Sequence, residues 1–162
     1  MSEKKYLRPA TLDDAKLFFD WVNEPVVRKN SFNTAPIAWE EHISWFQRAL
    51  ADNDIRIFVL MVEDNPAGQT RLAKSDCWRI SYSIAPAYRG QGYGKLMLQL
   101  AENELIDGGH AGEKLWAEVK TDNTASQRIF LGLGYQKIDG QNNEAYTYVK
   151  AVEHEKFNVE AK

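Results

Sequence analysis

Residues 89–95 read Arg89-Gly90-Gln91-Gly92-Tyr93-Gly94-Lys95 and sit between a segment of alternating apolar and polar residues and a long amphipathic one. Glycines at alternate positions let the backbone curl tightly and bring successive amide hydrogens close to one ligand. The helix that follows adds unpaired amides and the positive end of its dipole, so the turn suits a pyrophosphate. Spacing disfavours two familiar phosphate loops. A Walker loop needs four residues between its first Gly and the Gly-Lys pair, then Ser or Thr for magnesium. Here three residues separate Gly90 from Gly94, and Leu96 follows Lys95. A dinucleotide fingerprint runs Gly-x-Gly-x-x-Gly in the first βαβ unit of a parallel sheet, whereas this turn runs Gly-x-Gly-x-Gly after a hairpin region.

Working outward, Trp78, Ile80, Tyr82 and Ile84 alternate with Arg79, Ser81 and Ser83, the pattern of a strand with one face on the core and a polar face opposite. Upstream, Ile55 to Glu63 and Ala67 to Lys74 are predicted strands joined by the turn residues Asp64, Asn65 and Pro66. Downstream, a helix runs through Ile106 with Leu96, Met97, Leu100, Ala101 and Leu105 on one side and stops at Gly108 and Gly109. A strand at Leu115 to Lys120, a helix at Thr124 to Leu131 and strands near Tyr135 to Asp139 and Ala145 to Ala151 follow. At the N-terminus a strand at Tyr6 to Ala10 precedes a helix capped by Thr11, with Ala15, Phe18, Phe19 and Val22 on one face and Pro25 ending it. A polar stretch then leads to a second helix marked by Trp39, Ile43, Phe46 and Leu50. Hairpin-linked strands must be antiparallel, while the later strand, helix, strand crossover favours a parallel pair. The expectation is an α+β fold with a mixed, mostly antiparallel sheet covered by helices on both faces.

The 162 residues suit one domain, predicted over residues 1–152 with a frayed tail at 153–162. Lys plus Arg is 20 and Asp plus Glu is 23, a net charge of −3, and no basic patch accompanies the aromatic residues. That argues against nucleic acid and for a small molecule as partner. Cys77 is the sole cysteine, so no internal disulfide and no paired-cysteine zinc site is available, and a reducing, cytoplasmic setting is expected. The longest apolar run, Ile57 to Val62, is six residues, far short of a membrane span.

Two ordered motifs carry a family resemblance. Ile84-Ala85-Pro86-x-Tyr88 runs into Arg89 to Gly94; downstream, Ala117-Glu118-Val119 is followed by Asn123-x-x-Ser126 and by Gly132-Leu133-Gly134-Tyr135. Together they resemble the GNAT superfamily of N-acetyltransferases over residues 4 to about 150. The resemblance implies acetyl-CoA as donor, no metal, and a primary amine as acceptor. It implies that the turn from Arg89 through Gly90, Gln91, Gly92, Tyr93, Gly94 and Lys95 holds the pyrophosphate. The backbone of Tyr82, Ser83 and Ile84 then pairs with the pantetheine arm, and Asn123 and Ser126 line its other flank.

Direct attack by the amine in a ternary complex needs a neutral amine, an oxyanion donor and a proton for the departing thiolate. The family's oxyanion donor is a backbone amide, here near Ser83 or Ile84. Many relatives carry a Glu where this chain has Arg79 and an acidic Tyr where it has Phe130. Glu118 is the candidate to take the ammonium proton through water or to bind the ammonium, with pairing to a basic neighbour as the alternative. Ser81 and Ser83 are candidates for a water chain, and Tyr135 for the missing acid, a core position being its alternative. On the acceptor side, Trp21 to Arg28, Asn30, Glu41-His42 and Trp45-Phe46 loosely resemble acetyltransferases of nucleotide-linked amino sugars in the pseudaminic acid pathway. That likeness implies Arg28 on a diphosphate, His42 on a sugar hydroxyl or the amine, and Asn30 and Arg79 beside the substrate. A peptide N-terminal acetyltransferase and a degenerate, non-catalytic CoA-binding module stay open, and a homodimer is compatible with the sequence.

Overall fold

The computed structural model describes residues 3–138 and 144–159. Ile57 to Val62 is apolar on both faces because helices cover both sides of the strand it belongs to, β2 (Ile55–Val62). Ile57, Val59 and Met61 pack on α1 (Ala15–Val22) and α3 (Trp39–Ala51) through Phe18, Phe46 and Ala49. Phe58, Leu60 and Val62 face the other way, toward Met97, Leu98, Ala101 and Leu105 of α4 (Tyr93–Asp107). Around β2 the strands β1 (Lys5–Pro9), β3 (Asn65–Lys74), β4 (Trp78–Ile84), β5 (Lys114–Lys120), β6 (Gln136–Ile138) and β7 (Ala145–Ala151) form one sheet. Its order is β1-β2-β3-β4-β5-β7-β6, and every neighbouring pair is antiparallel except β4 with β5. The expected mixed α+β sheet is what forms.

The cluster under α1 and α3 draws its sheet residues from β2, not from β3, β4 or β5. On that face the polar residues of the next strands, Gln69, Arg71, Ser81, Ser83 and Glu118, therefore border open space instead of helix. The alternation seen in β4 has its meaning here: Trp78 and Ile80 are core, the polar row lines a cleft, and Tyr82 and Ile84 reach that cleft where the sheet opens.

Some boundaries differ from expectation for local reasons. Pro25 starts α2 (Pro25–Lys29) and does not merely end α1, since a proline at the first helical position loses no hydrogen bond; Glu24 caps it by accepting from the Val27 amide at 3.0 Å. The β2–β3 turn is the two-residue Glu63-Asp64, with Glu63 at φ 54, and Pro66 lies within β3 beside a register shift at Leu60 and Met61. A bulge is where a strand tolerates a residue without an amide hydrogen. In α3 the buried stripe is His42, Phe46 and Ala49, while Trp39 remains partly exposed. Asp139 lies outside the described residues.

Within the described residues after Glu153, where fraying was expected, Phe157 is tied to α4. The Asn103 side chain accepts from the Phe157 amide at 2.7 Å and donates to its carbonyl at 3.0 Å. Glu102 accepts from Lys150 at 3.0 Å and from the Glu153 amide at 2.8 Å. This is why α4 buries Glu102 and Asn103 beside Leu98, beyond its predicted apolar stripe. The Lys150 and Glu102 side chains are both buried, so removing Glu102 leaves Lys150 with only the half-exposed Glu153 carboxylate at 3.0 Å and the Glu153 amide without its acceptor. Glu102→Ala is expected to lower stability by about 3 kcal/mol, read as a lower urea midpoint at unchanged m-value.

Candidate active site

Strands β4 and β5 pair at Trp78 with Leu115 and at Arg79 with Trp116, and then part. Ala85 donates to the Ala67 carbonyl at 2.8 Å, which aligns its amide with the β3 edge. Amides alternate between the two edges of a strand, so Ser83 also addresses β3 while the amides of Tyr82 and Ile84 aim into the gap. Of the two expected oxyanion donors, geometry thus favours Ile84. Gly68 permits β3 and β4 to lie close here, since a Cβ on it would fall 2.7 Å from the Ser83 carbonyl oxygen.

At the end of β4 the turn places Gly90 at φ 77 and Gly92 at φ 84, left-handed conformations that glycine adopts freely. Among the described residues the backbone amides from Gly90 to Lys95 meet no hydrogen-bond acceptor; the first helical bond is from Leu96 to the Gly92 carbonyl at 3.3 Å. A row of unsatisfied donors at a helix N-terminus fits the diphosphate of coenzyme A. Gly94 lets α4 sit close, because a Cβ there would lie 3.0 Å from Ile129 and 3.3 Å from the Tyr82 ring. The side chains behave differently from the amides. Arg89 is clamped on Glu24 by two bonds of 2.9 and 3.1 Å and donates to the Ile84 carbonyl at 3.0 Å, so its charge is spent tying the turn to α2. Gln91 turns to the Ala87 carbonyl at 3.2 Å, and neither it nor Lys95 lines the cleft. Tyr93 is buried, with its ring 5.9 Å from Tyr88.

The cleft encloses about 1050 Å³ and gathers most of the expected residues. Glu118 forms an ion pair with Arg79 at 3.2 Å, and Arg79 lies over the Trp116 ring at 5.0 Å. Ser81 borders the same space, and the Ser83 hydroxyl accepts from Gln69 at 3.0 Å. Asn123 caps α5 (Thr124–Gly132) by accepting from the Ser126 amide at 3.3 Å, and the Ser126 hydroxyl meets the Tyr82 hydroxyl at 2.5 Å. Burial raises the Tyr82 phenol above its ordinary value, which makes it a weaker proton donor. Tyr135 is corrected from acid to core residue: it is buried against Phe130 at 4.9 Å, and burial pushes its phenol far upward.

Two acceptor-side expectations are also corrected. Arg28 spends its guanidinium on the Val22, Asn33 and Ala35 carbonyls at 2.6, 2.6 and 3.1 Å and on Ser31 at 3.2 Å. Four of its five N–H groups shape the loop after α2, which leaves a single Nη2 N–H at the cleft and no fork for a diphosphate. His42 is buried, hydrogen-bonded to the Ala15 carbonyl at 2.9 Å and stacked on Phe46 at 5.6 Å, so it joins α1 to α3. Asn30 ends α2 at the rim of the cleft. The sequence reading missed Gln69, Arg71 and Arg48, which line the same space. Gln69 and Arg71 alternate with Gly68, Thr70 and Leu72 along β3 and pair in register with Ser83 and Ser81, so the period-two signal was present.

Residues 5–136 match the family model described as an acetyltransferase (GNAT) domain, and the chain belongs to that family. An uncharacterized protein of Methanocaldococcus jannaschii is 26% identical over 149 residues, which cover 87% of this chain and 30% of that protein. The chain thus spans under a third of this relative's length. Among solved structures, a domain from the same organism superposes with a TM-score of 0.81 at 23% identity, covering 93% of this chain and 99% of that one. The spermidine N-acetyltransferase of Vibrio cholerae, solved with CoA and spermine, gives 0.80 at 16% identity over 91% of this chain and 95% of that one.

Arg89, helped by the Val27 amide, holds the Glu24 carboxyl below the usual carboxylate range against the effect of burial. A depressed carboxyl contributes stability that is complete above its unfolded value, about 4.3, and is lost as pH falls through the folded value. Wild type should therefore exceed Glu24→Gln in denaturation midpoint at pH 7, and the two should converge on acidification below about pH 4.

Proposed function

We propose that this domain transfers the acetyl group of acetyl-CoA to the primary amine of a small molecule, of the nucleotide-linked amino-sugar class, by direct attack in a ternary complex. The observation that carries the reading is the row of unsatisfied amides from Gly90 to Lys95, set at the mouth of the β4–β5 gap with Glu118 across it. The amides hold the diphosphate, with Asn123 and Ser126 on the far flank of the cleft. Acetyl-CoA supplies an activated acetyl thioester. The Ile84 amide, aimed into the gap, is placed to stabilise negative charge on the acetyl oxygen. Glu118, oriented by Arg79, receives the proton of the attacking amine through water held at Ser81. With Tyr135 in the core and the Tyr82 phenol raised, the departing thiolate takes its proton from solvent while Glu118 returns the amine's proton to solvent, and no dedicated acid is required. Residues 1–152 act as one domain in this scheme, in a reducing, cytoplasmic setting that suits the free Cys77.

Thiol release from acetyl-CoA with amino sugars, polyamines and peptides tests the reading; tight acetyl-CoA binding with release by none of them would leave a binding module. Glu118→Gln is expected to lower kcat about 10²-fold with the acetyl-CoA Kd unchanged, and equal turnover would remove Glu118 from the chemistry.

A further inference from the structure

The arginines that line the cleft differ in what they already hold. Arg28 is spent on backbone carbonyls, Arg89 on Glu24, and Arg79 on Glu118. Arg128, on α5, has no partner among the described residues but is exposed, whereas Arg71 is without one while largely buried. Arg71 projects from the middle of β3, paired in register with Ser81, and its guanidinium lies over the Trp45 ring at 5.2 Å. Among the described residues it has neither a carboxylate in ion-pair range nor a hydrogen-bond acceptor. Its charged form is disfavoured by burial and by the neighbouring Arg79, a cost that no anion in the described chain offsets and the Trp45 ring meets only in part. Arg48, exposed on α3, also lines the cleft and is held by Ser44 at 2.9 Å. A half-buried arginine kept charged beside a second one, in a chain of net charge −3, marks the place of an anion that arrives with a ligand.

We infer that Arg71, with Trp45 as a wall, is the subsite for an anionic oxygen group, phosphate or carboxylate, on the acceptor. This rests on the acetyltransferase reading and narrows its acceptor class. The anion is not the cofactor's diphosphate: Ser81, opposite Arg71, precedes Ile84 by three residues, roughly 10 Å along the strand, and the glycine turn lies beyond that. The amine of such an acceptor reaches Glu118 while its anionic end reaches Arg71, Arg79 standing between the two. Polyamines, which present only positive charge, meet like charge at this end of the cleft.

The test uses acceptor pairs that differ in the anion: glucosamine 6-phosphate against glucosamine, and the C-terminally amidated dipeptide Ala-Glu amide against Ala-Gln amide, with UDP-glucosamine and spermidine as further arms. At saturating acetyl-CoA, wild type should favour the anionic member of at least one pair in kcat/KM by about 10- to 100-fold. The pair that shows the gap identifies phosphate or carboxylate. Arg71→Gln should abolish the gap, and Arg71→Lys should restore part of it, both with the acetyl-CoA Kd unchanged. Equal kcat/KM within every pair, or a gap that survives in Arg71→Gln, overturns the subsite while leaving the acetyltransferase reading in place. If no acceptor is turned over, calorimetry on the acetyl-CoA-loaded protein decides. Binding of UDP, pyrophosphate or succinate by wild type but not by Arg71→Gln upholds the anion site without the activity, and absence of binding by all three overturns it.

Discussion

Strands β4 and β5 leave each other after two residue pairs, and the architecture of the site depends on that parting. Had the parallel ladder continued, β5 would satisfy the amides of Tyr82 and Ile84 and close the space in which a thioester can lie. The parting is held open from both sides. On one side Tyr82 is tied to Ser126 at the start of α5, and α4 sits close because Gly94 has no side chain. On the other, Arg89 grips the Ile84 carbonyl and reaches across to Glu24. The same arginine therefore links the end of β4, the glycine turn and the loop that roofs the acceptor side.

Backbone and side chains divide the work of binding. The glycine turn presents amides, which need no partner charge and are positioned by two left-handed glycines. Cationic side chains that looked available for phosphates turn out to be structural fasteners. Arg28 organises its own loop, and Arg89 bridges elements. The largely buried cation without a partner among the described residues is Arg71 on β3, a strand whose polar face borders the cleft. Local charge within the cleft is thus opposite in sign to that of the chain as a whole.

Buried polar groups elsewhere serve the frame. His42 bonds a carbonyl of α1 and stacks within an aromatic cluster, and the pairs Lys150–Glu102 and Asn103–Phe157 pin the C-terminal segment onto α4. Each satisfies a donor or acceptor that burial would otherwise leave costly. Their satisfaction removes them from the list of groups free to meet a substrate.

The sequence by itself determined what local rules govern. Period-two alternation in β4, helical stripes in α1 and α4, and glycines at alternate positions before a helix made the mixed sheet and the glycine turn legible, because each signal lies within a few residues. Even Gln69 and Arg71 belonged to a readable alternation. Only the tertiary structure decided which polar groups remain available. Glu24 and Arg89 are 65 residues apart, His42 and Ala15 are 27 apart, and Tyr82 and Ser126 are 44 apart. A titratable side chain has the same letter whether it faces a carbonyl, a carboxylate or open space. Its chemistry is set by the partner that folding brings to it, and that partner comes from a distant part of the chain.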